Sequence, residues 1–369
     1  MKQDSRNASD RQAMNACRED IDRIDEQIIS LLSSRQGLAA NIGKLKRGLG
    51  IGIIDPAREQ AVLRRLASKS QENLSARAIR NVFSEIISAA RSVQDDPVVA
   101  YLGPEATFSH QAAISLYGNS GSFRAAENIG EIFGLVEKGI CRQGVVPIEN
   151  SFEGSVTGTL DLFYEYELKI CAEIFLRIRH YLLSRAAHIE GIKHLYSHPM
   201  PIAQCHSWIK TNLAAIPVTE VASTALAARM AADEPESAAV GSRLAGITYG
   251  LNILEEGIED IPGNFTRFLV IGKGRSEPTG KDKTSLLFLL SHRPGALHGV
   301  LGALARRNIN MTRIESRPMK TRNWEYLFFV DLEGHEQDGN VSEALIEMEE
   351  NCVFIKRLGS YPEGGEVWD

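Results

Sequence analysis

Gly263-Asn264-Phe265-Thr266-Arg267-Phe268, followed at once by Leu269-Val270-Ile271, is the stretch on which the reading of this chain turns. It comes just after Pro262 and sets one hydroxyl and one guanidinium side by side between aromatic rings. A hydroxyl held against a cation in a partly dry wall is placed to donate a proton or hydrogen bond to a leaving group. An edge strand with Thr266 and Arg267 in water and both phenylalanines in the core would give the same pattern.

The length of 369 residues suggests two or three domains. A hydrophobic content of 43% and a charged content of 24% belong to an ordinary globular protein. The net charge of −6 carries no basic block, which argues against a nucleic-acid partner and a polybasic membrane patch. Cys17, Cys141, Cys171, Cys205 and Cys352 are scattered, as reduced thiols are, with neither a disulfide frame nor a zinc site. Residues 1–13 form a polar tail without the apolar core of a signal peptide. No apolar run approaches the ~20 residues of a membrane helix, so a cytoplasmic protein without membrane contact is expected.

Upstream, Ile21, Ile28 and Ile42 share one seven-residue register, and Ile24, Leu31, Leu38 and Leu45 share another. This predicts a helix of about 30 residues whose apolar seam needs partner helices or a second copy of itself. Residues 56–69 and 75–94 predict two shorter helices, with Asp55 before Pro56 in an N-cap arrangement. Arg35 interrupts the first register, flanked by Arg18 and Lys46 on the same side. Burying a guanidinium without an anion is costly. The three cations suit a small anionic ligand inside a helical bundle, and equally an interhelix salt bridge from Arg35 to Asp55 or Glu59.

Arg18, Arg35, Lys46, Asp55, Arg58-Glu59 and Gln94 resemble, in order and spacing, the active site of the all-helical chorismate mutases. The resemblance implies an intertwined dimer over residues 14–96 in which Arg18 enters the other copy's site. It puts Arg18, Arg35 and Arg58 on the two carboxylates of chorismate, counts Asp55 among the binding residues, and sets Lys46, Glu59 and Gln94 around the breaking ether. Ala90 departs from the family's serine near a substrate carboxylate.

Asp95-Asp96-Pro97 ends the helical segment, and residues 97–273 alternate short apolar runs with helical patterns, predicting a mostly parallel α/β sheet in two lobes. Polar residues follow the strands: Glu149-Asn150-Ser151, Ser197-His198-Pro199 with Gln204 a turn on, Ser223-Thr224, and Gly241-Ser242. Each hydroxyl fits a helix cap, and together they fit one anion-binding cleft. Val-Pro-Ile-Glu-Asn, Tyr-Ser-His-Pro-Met-Pro, Tyr249-Gly250-Leu251 and the opening hexapeptide resemble prephenate dehydratase, a two-lobed fold like that of periplasmic binding proteins. The resemblance makes Thr266 the dehydrating group. It places Glu149, Asn150, Ser197, Gln204, Ser223, Thr224 and Arg267 at the substrate, with Arg267 either tuning Thr266 or pairing structurally. Ala222 stands where some relatives carry a glutamate.

After a Gly-, Lys-, Ser- and Pro-rich linker, residues 281–363 predict a βαββαβ, ferredoxin-like unit. Taken alone this is a small dimerisation module. Gly295-Ala296-Leu297 at its first helix start and Glu315-Ser316-Arg317-Pro318 after its second strand resemble phenylalanine-sensing ACT domains. There the helix start would take the effector's carboxylate. Glu315 would take its ammonium, unless it pairs with Arg317. The three resemblances together imply a bifunctional P-protein of phenylalanine synthesis, a homodimer or higher homo-oligomer with no metal or other cofactor. The expected reactions are chorismate to prephenate to phenylpyruvate, inhibited by phenylalanine. The alternatives are arogenate dehydration and a catalytically dead amino-acid sensor.

Overall fold

The computed structural model describes residues 2–49, 56–94, 97–290, 293–318, 326–364 and 367–368. Asp55 lies outside them. Three helices open the chain: α1 (Lys2–Gly48), α2 (Pro56–Ala67) and α3 (Ala76–Gln94). The polar start is not a separate tail but the first turns of α1, since no proline or paired glycines interrupt residues 2–48. α1 packs on α3, and the approach is tight at Gly43, where a Cβ would lie 2.9 Å from the Gln94 side chain. The rest of the α1 seam finds no partner within the described chain: Ile21, Ile24, Ile28, Leu38, Ile42 and Leu45 are exposed, and Leu31 is 70% exposed.

The first α/β lobe contains β1 (Val98–Leu102), β2 (Ser122–Ala126), β3 (Gln143–Asn150), β4 (Gly154–Ser155) and β5 (Lys169–Arg177). The second contains β6 (Tyr181–Ser184), β7 (His194–Ser197), β8 (Val218–Glu220), β9 (Ser237–Gly241) and β10 (Asn252–Glu256), in the order β10-β6-β9-β7-β8. The chain leaves the first lobe after β5 and returns through β11 (Phe265–Gly272), which inserts antiparallel between β5 and β3. That insertion makes the first sheet mixed where a mostly parallel one is expected. It also explains the unbroken apolar run of β11: a strand covered on both faces has no solvent face to alternate with.

The C-terminal unit contributes β12 (Asp282–Leu290), β13 (Met311–Pro318), β14 (Tyr326–Glu333) and β15 (Cys352–Pro362), in the order β13-β14-β12-β15, with helices Ala296–Ala305 and Gly339–Asn351. It is not held on a loose tether. Leu287, Leu327, Phe329, Leu358 and Tyr361 share one buried core with Val146, Ile148, Leu160, Phe163 and Leu269 of the first lobe. Gly359, at φ 140°, passes so close to β5 that a Cβ would meet the Ile170 carbonyl oxygen at 2.6 Å, which only glycine permits. Finally β16 (Val367–Trp368) adds to β5 in parallel, beyond the domain it follows. Among the described residues no helix is long and apolar enough to cross a membrane.

One buried cation joins the helical unit to the first lobe. Arg91 on α3 forms two hydrogen bonds with the Glu59 carboxylate, its Nε at 2.8 Å, and also donates to the carbonyls of Leu116 and Tyr117 at 3.0 Å, at the end of α4 (Phe108–Tyr117). Burial works against the Arg91 charge, and Glu59 outweighs it, holding the pKa above its ordinary value. Arg91→Ala leaves this carboxylate and both carbonyls uncompensated, a loss of about 3–5 kcal/mol for a broken buried pair. The variant's denaturant midpoint, followed by helix content, should therefore fall; an unchanged midpoint would mean that water replaces Arg91 at no cost.

Candidate active sites

Thr266 sits near the start of β11, opposite Asn150 at the end of β3. Asn150 Nδ2 donates to Thr266 Oγ1 at 2.9 Å and to Asn264 Oδ1 at 2.8 Å. Its Oδ1 accepts from the backbone N–H groups of Phe152 at 3.0 Å and Glu153 at 3.2 Å. Both amide hydrogens and the carbonyl oxygen are thus committed, which fixes which end of the amide faces Thr266. Because Thr266 accepts in this bond, its own proton remains for another partner.

Asn264 extends the network to the second lobe. Its Oδ1 also accepts from Ser151 at 3.3 Å, and its Nδ2 donates to Gln204 Oε1 at 3.4 Å. Gln204, ending helix Pro199–Gln204, shares that oxygen with His180 Nε2 at 2.7 Å, and its Nε2 donates to Glu153 at 3.4 Å. His180 is buried, and burial pushes its imidazole below the ordinary pKa against the opposing Gln204 bond. The neutral ring donates through Nε2, because the Gln204 oxygen can only accept. Among the described residues its Nδ1 is buried without a partner.

The other dehydratase residues expected at the substrate divide. Ser197 is buried and donates to the neighbouring carbonyl of His198 at 3.2 Å. Ser223 caps helix Thr224–Asp233 by accepting from Leu226 N at 3.1 Å, with Thr224 buried beside it. Arg267 is not beside Thr266. Side chains alternate along a strand, so it projects from the opposite face. There its Nε donates to Glu173 at 2.8 Å, Nη1 to Asp331 at 2.5 Å and Nη2 to the Tyr361 hydroxyl at 3.1 Å. Burial opposes the charge, but Tyr361, Asp331 and Glu173 together raise the Arg267 pKa. Glu149 likewise faces the C-terminal unit, with Arg313 Nε 3.6 Å from its carboxylate.

In the helical unit Arg35, half-buried, donates to the Ile86 carbonyl at 3.3 Å. The salt bridge from Arg35 to Glu59 does not form, because Glu59 is taken by Arg91. Lys46 and Gln94 are half-buried, Arg18 and Arg58 exposed, and the Gln94 carbonyl accepts from Arg47. Ala90 is buried on α3.

Gly295, at φ 82°, opens helix Ala296–Ala305 without a side-chain cap. Along β13, Glu315 and Arg317 are partly buried while Ser316 and Pro318 are exposed. Glu315 pairs not with Arg317 but with Ser155 of the first lobe, whose hydroxyl donates to it at 2.7 Å; Arg317 lies 3.4 Å from Asp161.

The profile of chorismate mutase type II matches residues 17–95, that of prephenate dehydratase residues 99–276, and that of the ACT domain residues 284–350. Over 350 residues the chain is 45% identical to a bifunctional chorismate mutase/prephenate dehydratase of Aquifex aeolicus (strain VF5), covering 94% of this chain and 97% of that protein. The chain belongs to this bifunctional family. A namesake from Neisseria gonorrhoeae is 41% identical over 345 residues, covering 93% of this chain and 95% of that one. A solved prephenate dehydratase in complex with L-Phe, from Arthrobacter aurescens, is 33% identical with a TM-score of 0.67, covering 72% of this chain and 90% of that one.

Sequence reasoning passed over Asn264, His180, Glu173, Asp331 and Arg91. Asn264 carried a usable signal: it lies two residues before Thr266, the spacing of one strand face. The rest are brought in by tertiary structure. Thr266→Ala should lower prephenate turnover by ~10²–10⁴, the contribution of a positioned acid, and leave chorismate consumption intact. Near-normal phenylpyruvate formation by that variant would remove Thr266 from the mechanism.

Proposed function

We propose that the chain converts chorismate to prephenate in its helical unit and prephenate to phenylpyruvate at Thr266, and that phenylalanine bound to the ACT domain restrains the second step. The observation that carries the dehydratase reading is the Asn150 amide donating to Thr266 Oγ1 with its other polar atoms all engaged. Dehydration expels carbon dioxide from one end of the ring and hydroxide from the other. Hydroxide leaves only when a proton or strong hydrogen bond reaches it, and a threonine hydroxyl alone is a weak donor. Donation from Asn150 into Thr266 Oγ1 polarises the Thr266 O–H and turns its proton toward the cleft. Gln204 and Asn264, bridging the two lobes beside Thr266, are suited to the substrate's polar groups, and Ser197, Ser223 and Thr224 to its carboxylates.

The mutase step needs neither nucleophile nor base, only a compact conformer and positive charge on the breaking ether. Arg35, Lys46, Arg58 and, from a second copy, Arg18 supply that charge, with Gln94 and Asp55 completing the pocket and Glu59 held at its edge by Arg91. The exposed seam of α1 supports a second copy as its cover. A mixture of Arg18→Ala and Arg35→Ala chains, co-expressed with different tags, should regain part of the mutase activity, because each heterodimer contains one intact site. No recovery in verified heterodimers would mean that Arg18 serves its own chain.

For the effector, the helix start at Gly295-Ala296-Leu297 suits a carboxylate, and Glu315, with Ser316, Arg317 and Pro318 along the same strand, suits an ammonium. Phenylalanine would then compete with Ser155 for Glu315. Losing one charge-assisted contact costs about 1.5–3 kcal/mol, so Glu315→Ala should raise the half-inhibiting phenylalanine concentration by about tenfold or more. An unchanged inhibition curve would place the effector elsewhere.

A further inference from the structure

Thr266 and Asn150 face each other across β11 and β3, and the next cross-strand pair is Arg267 with Glu149. Strand alternation turns this second pair to the opposite face, against the C-terminal sheet. Arg267 reaches Asp331 on β14 and Tyr361 on β15. Glu149 faces Arg313 on β13, and Arg313 Nη2 also donates to Ser155 at 2.7 Å and to the Ile148 carbonyl at 3.5 Å. Ser155 in turn pairs with Glu149 across β4. The two strands that carry the Thr266–Asn150 hydrogen bond are thus each gripped, one residue away from it, by the same sheet.

From this we infer that Asp331 and Arg313 of the C-terminal domain are positioning residues of the dehydratase centre, acting on the Thr266–Asn150 geometry through Arg267 and Glu149. The two grips are unequal. The Asp331 and Glu173 side chains are fully buried and that of Arg267 is 7% exposed, whereas the Glu149 side chain is 41% exposed at a 3.6 Å separation. Arg313 is 8% exposed, but its 3.6 Å pair with the open Glu149 carboxylate is long and screened by solvent, so the Asp331 arm dominates. Asp331 is itself held, accepting from Ser285 Oγ at 2.5 Å, with the Tyr361 hydroxyl 2.7 Å from Ser285 Oγ. Because Glu315 lies on the same strand as Arg313, an effector there would act along these arms; this consequence rests on the function proposed above.

Asp331→Asn keeps the side-chain volume and the Ser285 bond and removes the charge. In the full-length chain it should lower dehydratase kcat about 10- to 100-fold, the scale of an ångström-sized misplacement. KM for prephenate and chorismate turnover should stay near their original values, the latter reporting a folded chain. Arg313→Lys should act in the same direction and less. If Asp331 acts through Arg267, the double variant Asp331→Asn/Arg267→Gln should be no slower than Arg267→Gln alone. A wild-type dehydratase kcat in Asp331→Asn, or losses that multiply in the double variant, would overturn the inference. Should Asp331→Asn fail to fold, Tyr361→Phe decides: it removes one hydrogen bond from Arg267 and no charge, and an unchanged kcat there overturns the inference too. The unsubstituted chain is assayed first. Silence toward prephenate at that stage would overturn the dehydratase reading and this inference with it, whereas a loss confined to the variants bears on the inference alone.

Discussion

A guanidinium buried beneath β11 constrains how the rest of the molecule is put together. Arg267 and Lys283 face Glu173 and Asp331, two cations against two carboxylates, all in the buried junction between the first lobe and the C-terminal sheet. Desolvating such ions costs several kcal/mol each, and their mutual attraction does little more than offset it. The network therefore contributes selectivity more than stability. The neighbours of Asp331 on β14 are Val330 and Leu332, both buried. A shift of one residue along that strand would put an apolar side chain against Arg267 and leave the charge unmatched. One docking register satisfies every ion.

The apolar surface around the network explains why docking occurs at all. Phe329, Leu358 and Tyr361 join the core of the first lobe, and Arg313 lies over the Phe329 ring with its guanidinium carbon 5.2 Å from the centroid. The connection between the domains is stapled as well: Ser276 donates to the Cys171 carbonyl at 3.1 Å, and Asp282 accepts from Thr279 N at 2.7 Å and Gly280 N at 3.0 Å. A composition rich in Gly, Lys, Ser and Pro describes a flexible tether only when nothing offers it partners. The helical unit is attached differently, by α3 and the Arg91 cluster, and among the described residues the long seam of α1 stays uncovered.

These differences govern what could be read from the chain alone. The α1 seam, the alternation of strands and helices, the βαββαβ order and the hydroxyl of Thr266 are local patterns, carried by residues a few positions apart. What stayed hidden is pairing across the fold. Arg267 and Asp331 are 64 positions apart, and Arg91 and Glu59 are 32 apart. Nothing in either local sequence distinguishes a cation that will meet a substrate from one that will be buried at a junction. The antiparallel insertion of β11 was equally illegible, because a strand covered on both faces looks the same in either direction. Only Asn264 was within reach, through the two-residue period it shares with Thr266.

The same alternation has a consequence for the chemistry. Along β11 and β3 the charged pair, Arg267 and Glu149, goes to one face, and the uncharged pair, Thr266 and Asn150, goes to the other. A carboxylate next to Thr266 would repel a substrate that already carries two. A guanidinium in direct contact with Thr266 would displace the Asn150 amide as the donor to Oγ1. Amide groups avoid both, since Asn150, Asn264 and Gln204 join one another beside Thr266 as dipoles without net charge. The ions, moved one residue away and to the opposite face, still fix the backbone from which those dipoles point.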